Sequence, residues 1–489
     1  MNIILVIDQS TSASKGFLFS SEGKLLARSD VPHRQIVNDA GWVEHNPEEI
    51  MQNVLLSAKN VIETSGIDAK DISCIGITNQ RETAVCWDKT TGKPLHNAVV
   101  WQCARAVDIT DAIEKAGLKE TIRKHTGLIL SPFFSAAKYG WMVKHVPEVF
   151  NAKQKGTLCC GTIDSWLVFK LTGNYKTDFS NASRTQLLNL ETLQWDKELV
   201  DAFYLNIHCL PEICFSDSLF GFTDFDGLLP VPVPIHGVLG DSHAALFGNG
   251  CWNPGMAKVT YGTGSSVMMN AGTAFIEPPS GIVTSIGWGI NKEVHYVLEG
   301  NIHYSGAVIN WLANDIELIE NSKIAGDIAA AVENTGGVYL VPAFSGLGAP
   351  YFNNDARAAF LGMNRSTKKS HLVRAAEESI AFQIFDVVSA IRQNNKTISV
   401  LHADGGATHD AFLMQFQSDI LGIPLEISGI EELSAFGAAA CAAIGSGIVK
   451  QDDFFAAYGH KIILPKMDEK SRTEHLNGWK NAVKIINGK

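Results

Sequence analysis

The chain has 489 residues, of which 46% are apolar and 19% charged. That length exceeds what one hydrophobic core serves, so two or more domains of an ordinary globular protein are expected. A net charge of −11 excludes nucleic acid as a main partner, because phosphate backbones recruit basic surfaces.

The longest early apolar run, residues 3–7, ends at Asp8, so neither a leader segment nor a membrane span is expected. Nine cysteines occur with no C-x-x-C spacing and one adjacent pair, Cys159 and Cys160. They read as reduced thiols of a cytoplasmic protein, and their spacing indicates no metal site.

Residues 2–19 read as strand, turn, strand: NIILVID is apolar and β-branched, QSTSASKG is a small polar loop, and FLF resumes the strand. Ser10, Thr11 and Ser12 give that loop hydroxyls beside free backbone N–H groups, which suits phosphate oxygens. Asp8 at the strand end is placed to hold a hydrated Mg²⁺. The same composition also makes an ordinary hairpin turn. A third strand is predicted over 24–29. A helix follows from Pro47 to about Thr64, capped by Asn46, closed by Gly66, with Ile50, Val54, Ala58, Val61 and Ile62 on its core face.

SCIGITN, QRET and AVCW (residues 73–87) form a strand, a polar break and a second strand. Arg81 and Glu82 sit in that break, where an unpaired charge is costly. They either form a structural ion pair or face a cleft and bind a polar ligand. Trp101, at the end of the next predicted strand, offers a flat face to a sugar or polyol chain if it is not simply core.

Helices are predicted at 108–116 and 134–145, and a strand-to-helix passage at 158–173. TDFSNASRTQLL, residues 177–188, carries polar residues of no assigned role, and the proline-rich residues 229–237 read as an extended connector. Next comes GVLGDSHAALFG, residues 237–248, a strand end, a turn and a small-residue helix start. Its single acid, Asp241, either caps the helix or stands exposed in a cleft to take a proton from a substrate hydroxyl.

AKVTYGTGSSVMMNAG, residues 257–272, repeats the opening strand–loop–strand half a chain later, so two homologous halves are expected, their hairpins gripping a polyphosphate from both sides. LHADGGATHD, residues 401–410, adds a third small-residue loop, where Gly405 and Gly406 permit close approach of a nucleotide.

Together these segments resemble the FGGY carbohydrate kinases, and within them most the glycerol kinases. ITNQRET (77–83), VVWQCAR (99–105), GWVEHNP (41–47), TYGTG (260–264), VPAFSGLGAPYF (341–352) and FLMQFQSDILG (412–422) carry the resemblance over nearly the whole chain. FFSAAKYGWMVKH (133–145) fits the first family signature. Residues 358–378 fit the second, except that Glu377 stands where the family has an apolar residue.

The resemblance implies an α/β fold of two actin-like, ribonuclease-H-like domains, residues 1–248 and 249–489, with a catalytic cleft between them. It implies ATP with Mg²⁺ as cofactors, a small polyol or sugar as substrate, and a homo-oligomer, dimer or tetramer. By position, Asp241 matches the general base, and Asp8 and Asp241 the water-mediated Mg²⁺ site. Ser12, Gly262, Thr263, Gly306, Asn310, Gly406 and Asp410 match nucleotide positions, and Arg81, Glu82, Trp101 and Asp241 match polyol positions.

The departures concern the substrate. The family's opening loop carries an arginine where this chain has Lys15, which loses the fork geometry toward phosphate. Ser242, Ser266 and Phe133 replace the Gln, Phe and Tyr of the glycerol pocket. Altered hydroxyl partners imply an altered substrate, and the expectation is a polyol of four or five carbons, or glycerol itself. A ketopentose kinase is the alternative within enzymes, and an actin-like nucleotide switch the alternative outside them.

Overall fold

Two mixed β-sheets, each opened by an antiparallel hairpin, organise the chain; the computed structural model describes residues 2–393, 397–455 and 459–488. The first sheet is built from β1 (Ile3–Gln9), β2 (Ala13–Ser20), β3 (Leu25–Pro32), β4 (Ile72–Asn79), β5 (Gly221–Thr223) and β6 (Val233–Gly240), in the order β5-β6-β4-β1-β2-β3. The second uses β7 (Ala257–Tyr261), β8 (Ser265–Gly272), β9 (Val283–Ile290), β10 (Glu293–Ile302), β11 (Leu401–Gly405), β12 (Leu425–Ser428) and β13 (His460–Ile463), in the order β9-β10-β8-β7-β11-β12-β13.

The two sheets share a plan. In the first, β1 pairs antiparallel with β2 and parallel with β4, which pairs parallel with β6. In the second, β7 pairs antiparallel with β8 and parallel with β11, which pairs parallel with β12. The half-chain echo read in the sequence is thus a repeat of topology. The central strands are buried on both faces, which is why IILVIDQ in β1 is apolar without alternation up to Asp8.

Helices cover the sheets. α1 (Pro47–Ser65) lies on β2 and β3; Asn46 Oδ1 accepts from the backbone N–H groups of Glu48 and Glu49, and Gly66 closes the helix in the left-handed conformation. α2 (Ser135–His145) and the one-turn α3 (Phe179–Ala182) follow. α4 (Asp241–Gly248) and, from far along the chain, α5 (Gly306–Asn314), α6 (Lys369–Arg392), α7 (Ala411–Leu421) and α8 (Leu433–Gly445) complete the framework. α8 belongs to the second half in sequence, yet it packs on β6, β4 and β1 and crosses α4. There a methyl group on Gly437 would overlap the Ala244 carbonyl, so the two backbones touch. Ile4, Val6 and Phe17 share one apolar cluster with Leu246, Phe247, Met268, Val297 and the α8 alanines, which joins both sheets through these two helices.

The helices predicted at 108–116 and 134–145 form as Val107–Lys115 and Ser135–His145. Residues 229–237 are not simply a connector. From Val233 they are β6, parallel to β4 from Ile235 onward, and the prolines precede that pairing. All nine cysteines are free and buried. Among the described residues no helix is long and apolar enough to cross a membrane.

Candidate active site

The ends of β1, β4 and β6 bring the sequence-predicted carboxylates and cations together, and β10 adds a further acid, Glu299. β6 runs directly into α4, with Gly240 in the N-cap position and Asp241 as the first helical residue. Asp241 does not cap the helix in the usual way: Oδ1 accepts from the next backbone N–H, that of Ser242, at 2.6 Å, and its side chain is 37% exposed. Ser434 at the start of α8 donates to the Asp241 carbonyl at 3.0 Å and so ties the turn to the crossing helix.

Arg81 Nε lies 3.3 Å from Asp241 Oδ1. The other end of the same guanidinium donates to both oxygens of Glu299 on β10, at 3.1 and 2.9 Å. Arg184 donates to Glu299 at 2.9 Å and to Glu82 at 2.5 Å, and Ser266 donates to Glu299 at 3.2 Å. The structural ion-pair reading of the Arg81–Glu82 break therefore holds. The two charges belong to a buried ion network that spans the halves, and Arg81 links it to the more exposed Asp241. Glu299 has no exposed side-chain area, and despite that burial the two guanidiniums hold its carboxyl well below the usual range. Glu82 adopts a positive φ of 60°, which fits a side chain fixed by Arg184 and a carbonyl that accepts from Ser135.

Trp101 anchors the opening loop from the side, its Nε1 donating to Thr11 Oγ1 at 3.0 Å. It sits two residues beyond the short strand Ala98–Val99. Phe133 packs edge-on against it, with ring centroids 5.6 Å apart. The buried Lys138 of α2 holds the Phe133 segment by donating to the carbonyls of Pro132, at 2.8 Å, and Phe133. Ser10 closes the opening turn through its N–H and hydroxyl, both donating to the Ala13 carbonyl, while Ser12 is exposed.

Asp8 is 5% exposed and lies 3.6 Å from Lys15, which is 3.7 Å from Glu432 at the head of α8. Burial, with Asp241 and Glu432 adding repulsion, pushes the Asp8 carboxyl up to about 6 against the pull of Lys15. Lys15 thus stands between two carboxylates, and Arg28 pairs with the outer one, Glu432.

On the second half, residues 262–264 dock on the start of α5. Ser305 and Ala307 donate to the Thr263 carbonyl and Gly306 to that of Gly262. Gly262 and Thr263 remain exposed, as does Asn310 one turn along α5. Gly405 has φ 95° and an added methyl there would overlap the Tyr261 backbone, so this turn requires glycine; Gly406 beside it faces open space. Asp410 spends Oδ1 on the cap of α7, accepting from Leu413 at 2.9 Å. Asp404 accepts from Asn249 at 2.9 Å. Ser242 contributes its backbone to Asp241, and Glu377 is buried in α6, where desolvation raises its carboxyl.

Arg184, Glu299, Glu432 and Lys138 were not singled out from the sequence. Glu299 stands in an apolar strand, VHYVLEGN, and an isolated acid at an inward position is the signal that marks it.

Two hairpin-led sheets around a carboxylate-lined cleft define an actin-like phosphotransferase of two domains. The model of the FGGY family of carbohydrate kinases matches over both parts, its N-terminal domain at residues 3–248 and its C-terminal domain at 257–446, and the chain belongs to that family. It is 47% identical over 489 residues to glycerol kinase 1 of Thermotoga maritima, covering 99% of each chain. It is 43% identical to the glycerol kinase of a Thermoanaerobacter species, covering 98% of this chain and 97% of that one. Among solved structures, Plasmodium falciparum glycerol kinase with ADP superposes with a TM-score of 0.94 at 36% identity, covering 99% of this chain and 98% of that one. Gluconate kinase from Lactobacillus acidophilus, at 23% identity and a TM-score of 0.89, shares the fold.

Proposed function

We propose that the chain transfers the γ-phosphoryl group of ATP to a primary hydroxyl of a polyol, with Asp241 as general base. The observation that carries this reading is the Asp241 carboxylate, open to the cleft at a helix start and steadied by an arginine that Glu299 pins from behind. A base so placed accepts the hydroxyl proton as the oxygen attacks, a contribution of about 10²–10⁴-fold. The relatives' printed names, glycerol kinases at 42–47% identity, support a polyol acceptor.

In this reading residues 1–248 form the substrate and phosphate side and 249–489 the nucleotide side. Ser10, Thr11, Ser12 and Lys15 meet phosphate oxygens from the first hairpin, and Gly262 and Thr263 from the second. Gly306, Asn310, Gly405, Gly406 and Asp410 line the nucleoside. Asp8, with Asp241, would hold Mg²⁺ through water; the repulsion between these two carboxylates, which helps push the Asp8 carboxyl up, supports that assignment. An ion bound there would supply neutralisation of charge on the phosphoryl oxygens. Arg81 orients a substrate hydroxyl, and Trp101 with Phe133 covers the carbon chain.

The acceptor is glycerol or a longer polyol of four or five carbons. Ser242 and Ser266 leave the acceptor side short of bulk, and the Ser266 hydroxyl is already engaged by Glu299, so it fills little of the space. Substrate-dependent ADP release over glycerol, tetritols, pentitols and ketopentoses tests this. The highest kcat/KM on a C4 or C5 polyol supports the longer acceptor and on glycerol the shorter one; no response to any polyol refutes the proposal.

A further inference from the structure

We propose that His402, Glu426 and His460 form a transition-metal site of the zinc class that ties together the outer three strands of the second sheet. In sequence the three residues are far apart. The sheet aligns them: His402 on β11 is the register partner of Glu426 on β12, and His460 on β13 is the partner of Ser428, two residues along the same face from Glu426. One ligand atom from each lies within 4.8 Å of the others.

His402 is only 5% exposed, and its Nδ1 is a buried ring nitrogen with no hydrogen-bond partner, aimed at Glu426 Oε2 at 3.7 Å. Such an orphan is costly unless something meets it. The cation beside it in the ladder is already committed: Lys258, the register partner of His402 on β7, donates to Thr260 at 2.5 Å. Burial also keeps His402 neutral, the form that ligates.

Two imidazoles and a carboxylate suit Zn²⁺ or Co²⁺ and not Mg²⁺, which favours oxygen donors; a water completes four-coordination. Ligand atoms on tetrahedral zinc stand about 3.4 Å apart, so closure from within 4.8 Å asks for a contraction of at most about 1.4 Å, within reach of the exposed His460 and half-buried Glu426. The second His–acid group, His125 with Asp196 and Glu198, is different. His125 is bonded to Asp196 at 2.8 Å, and Asp196 already caps a helix.

The consequence is mechanical. β13 is an edge strand with Ile462 exposed, so it gains little from burial. An ion bound only in the folded state stabilises it by linkage and clamps it to β11, the strand that ends in the Gly405–Gly406 turn.

The test is a Zn²⁺ titration of the full-length, chelator-treated chain with Mg²⁺ saturating, read by calorimetry and by the melting temperature, and repeated with Co²⁺ for the visible bands of a four-coordinate site. The expected result is one equivalent per chain and a higher melting temperature. His460→Ala and Glu426→Gln should each weaken binding by on the order of tenfold or more, with metal-free melting temperatures close to wild type. Absence of binding, or both variants binding as the wild type does, overturns the proposal.

Discussion

Glu299→Gln removes the negative centre on which two arginines from the other half converge. Its side chain has no exposed area, accepts twice from Arg81 and once from Arg184, and takes the Ser266 hydroxyl. The amide keeps the shape and loses the charge. Arg81 retains Asp241 at 3.3 Å and Arg184 retains Glu82 at 2.5 Å, so the guanidiniums are left half-compensated. Breaking a buried pair from one side costs about 3–5 kcal/mol. At about 2.1 cal/mol/K of unfolding entropy per residue, 489 residues give about 1 kcal/mol/K, so the midpoint should fall by about 3–5 °C if the halves unfold together. Scanning calorimetry measures this directly, and nucleotide affinity should hold while kcat/KM for the polyol drops, because Arg81 loses its anchor. A melting temperature within a degree of wild type, with unchanged kcat/KM, would refute the view that this network joins the halves and positions Arg81.

Gly437→Ala places a methyl against the Ala244 carbonyl where α8 crosses α4, and overpacking there should cost about 1–3 kcal/mol, read as a lower denaturation midpoint. Asp386 is buried, accepts from Trp479 and Tyr351, and has a carboxyl pushed up to about 7 by desolvation. Its folded value exceeds the unfolded one, so the native state holds the extra proton and wild-type stability declines as pH rises from about 4 to 7. Asp386→Asn lacks that decline. Its melting temperature should therefore gain on wild type across this window and run parallel above it; a gap independent of pH would contradict the assignment.

Local chemistry carried much of the architecture into the sequence. Asn46–Pro47 and Gly66 bound α1 because capping and left-handed closure depend on adjacent residues. The two hairpins were legible because a small-residue loop between apolar runs has few other solutions. Residues 229–237 were misjudged since three prolines mask a strand whose ladder partner lies more than 150 residues away in β4. The same distance hid half the site. Arg184, in a polar stretch without period, and Glu299, inside an apolar strand, acquire meaning only when the fold brings them to Glu82 and Arg81. Asp241 reads from sequence as either cap or base; in the fold its carboxylate meets the adjacent N–H and Arg81, and the ordinary cap bond to the next turn is not made.

The central claim is most directly tested by polyol-dependent ADP release from Asp241→Asn, with ATP binding measured on the same sample. The account predicts near-normal nucleotide affinity and turnover reduced by about 10²–10⁴-fold. Turnover close to wild type with the polyol saturating would contradict it.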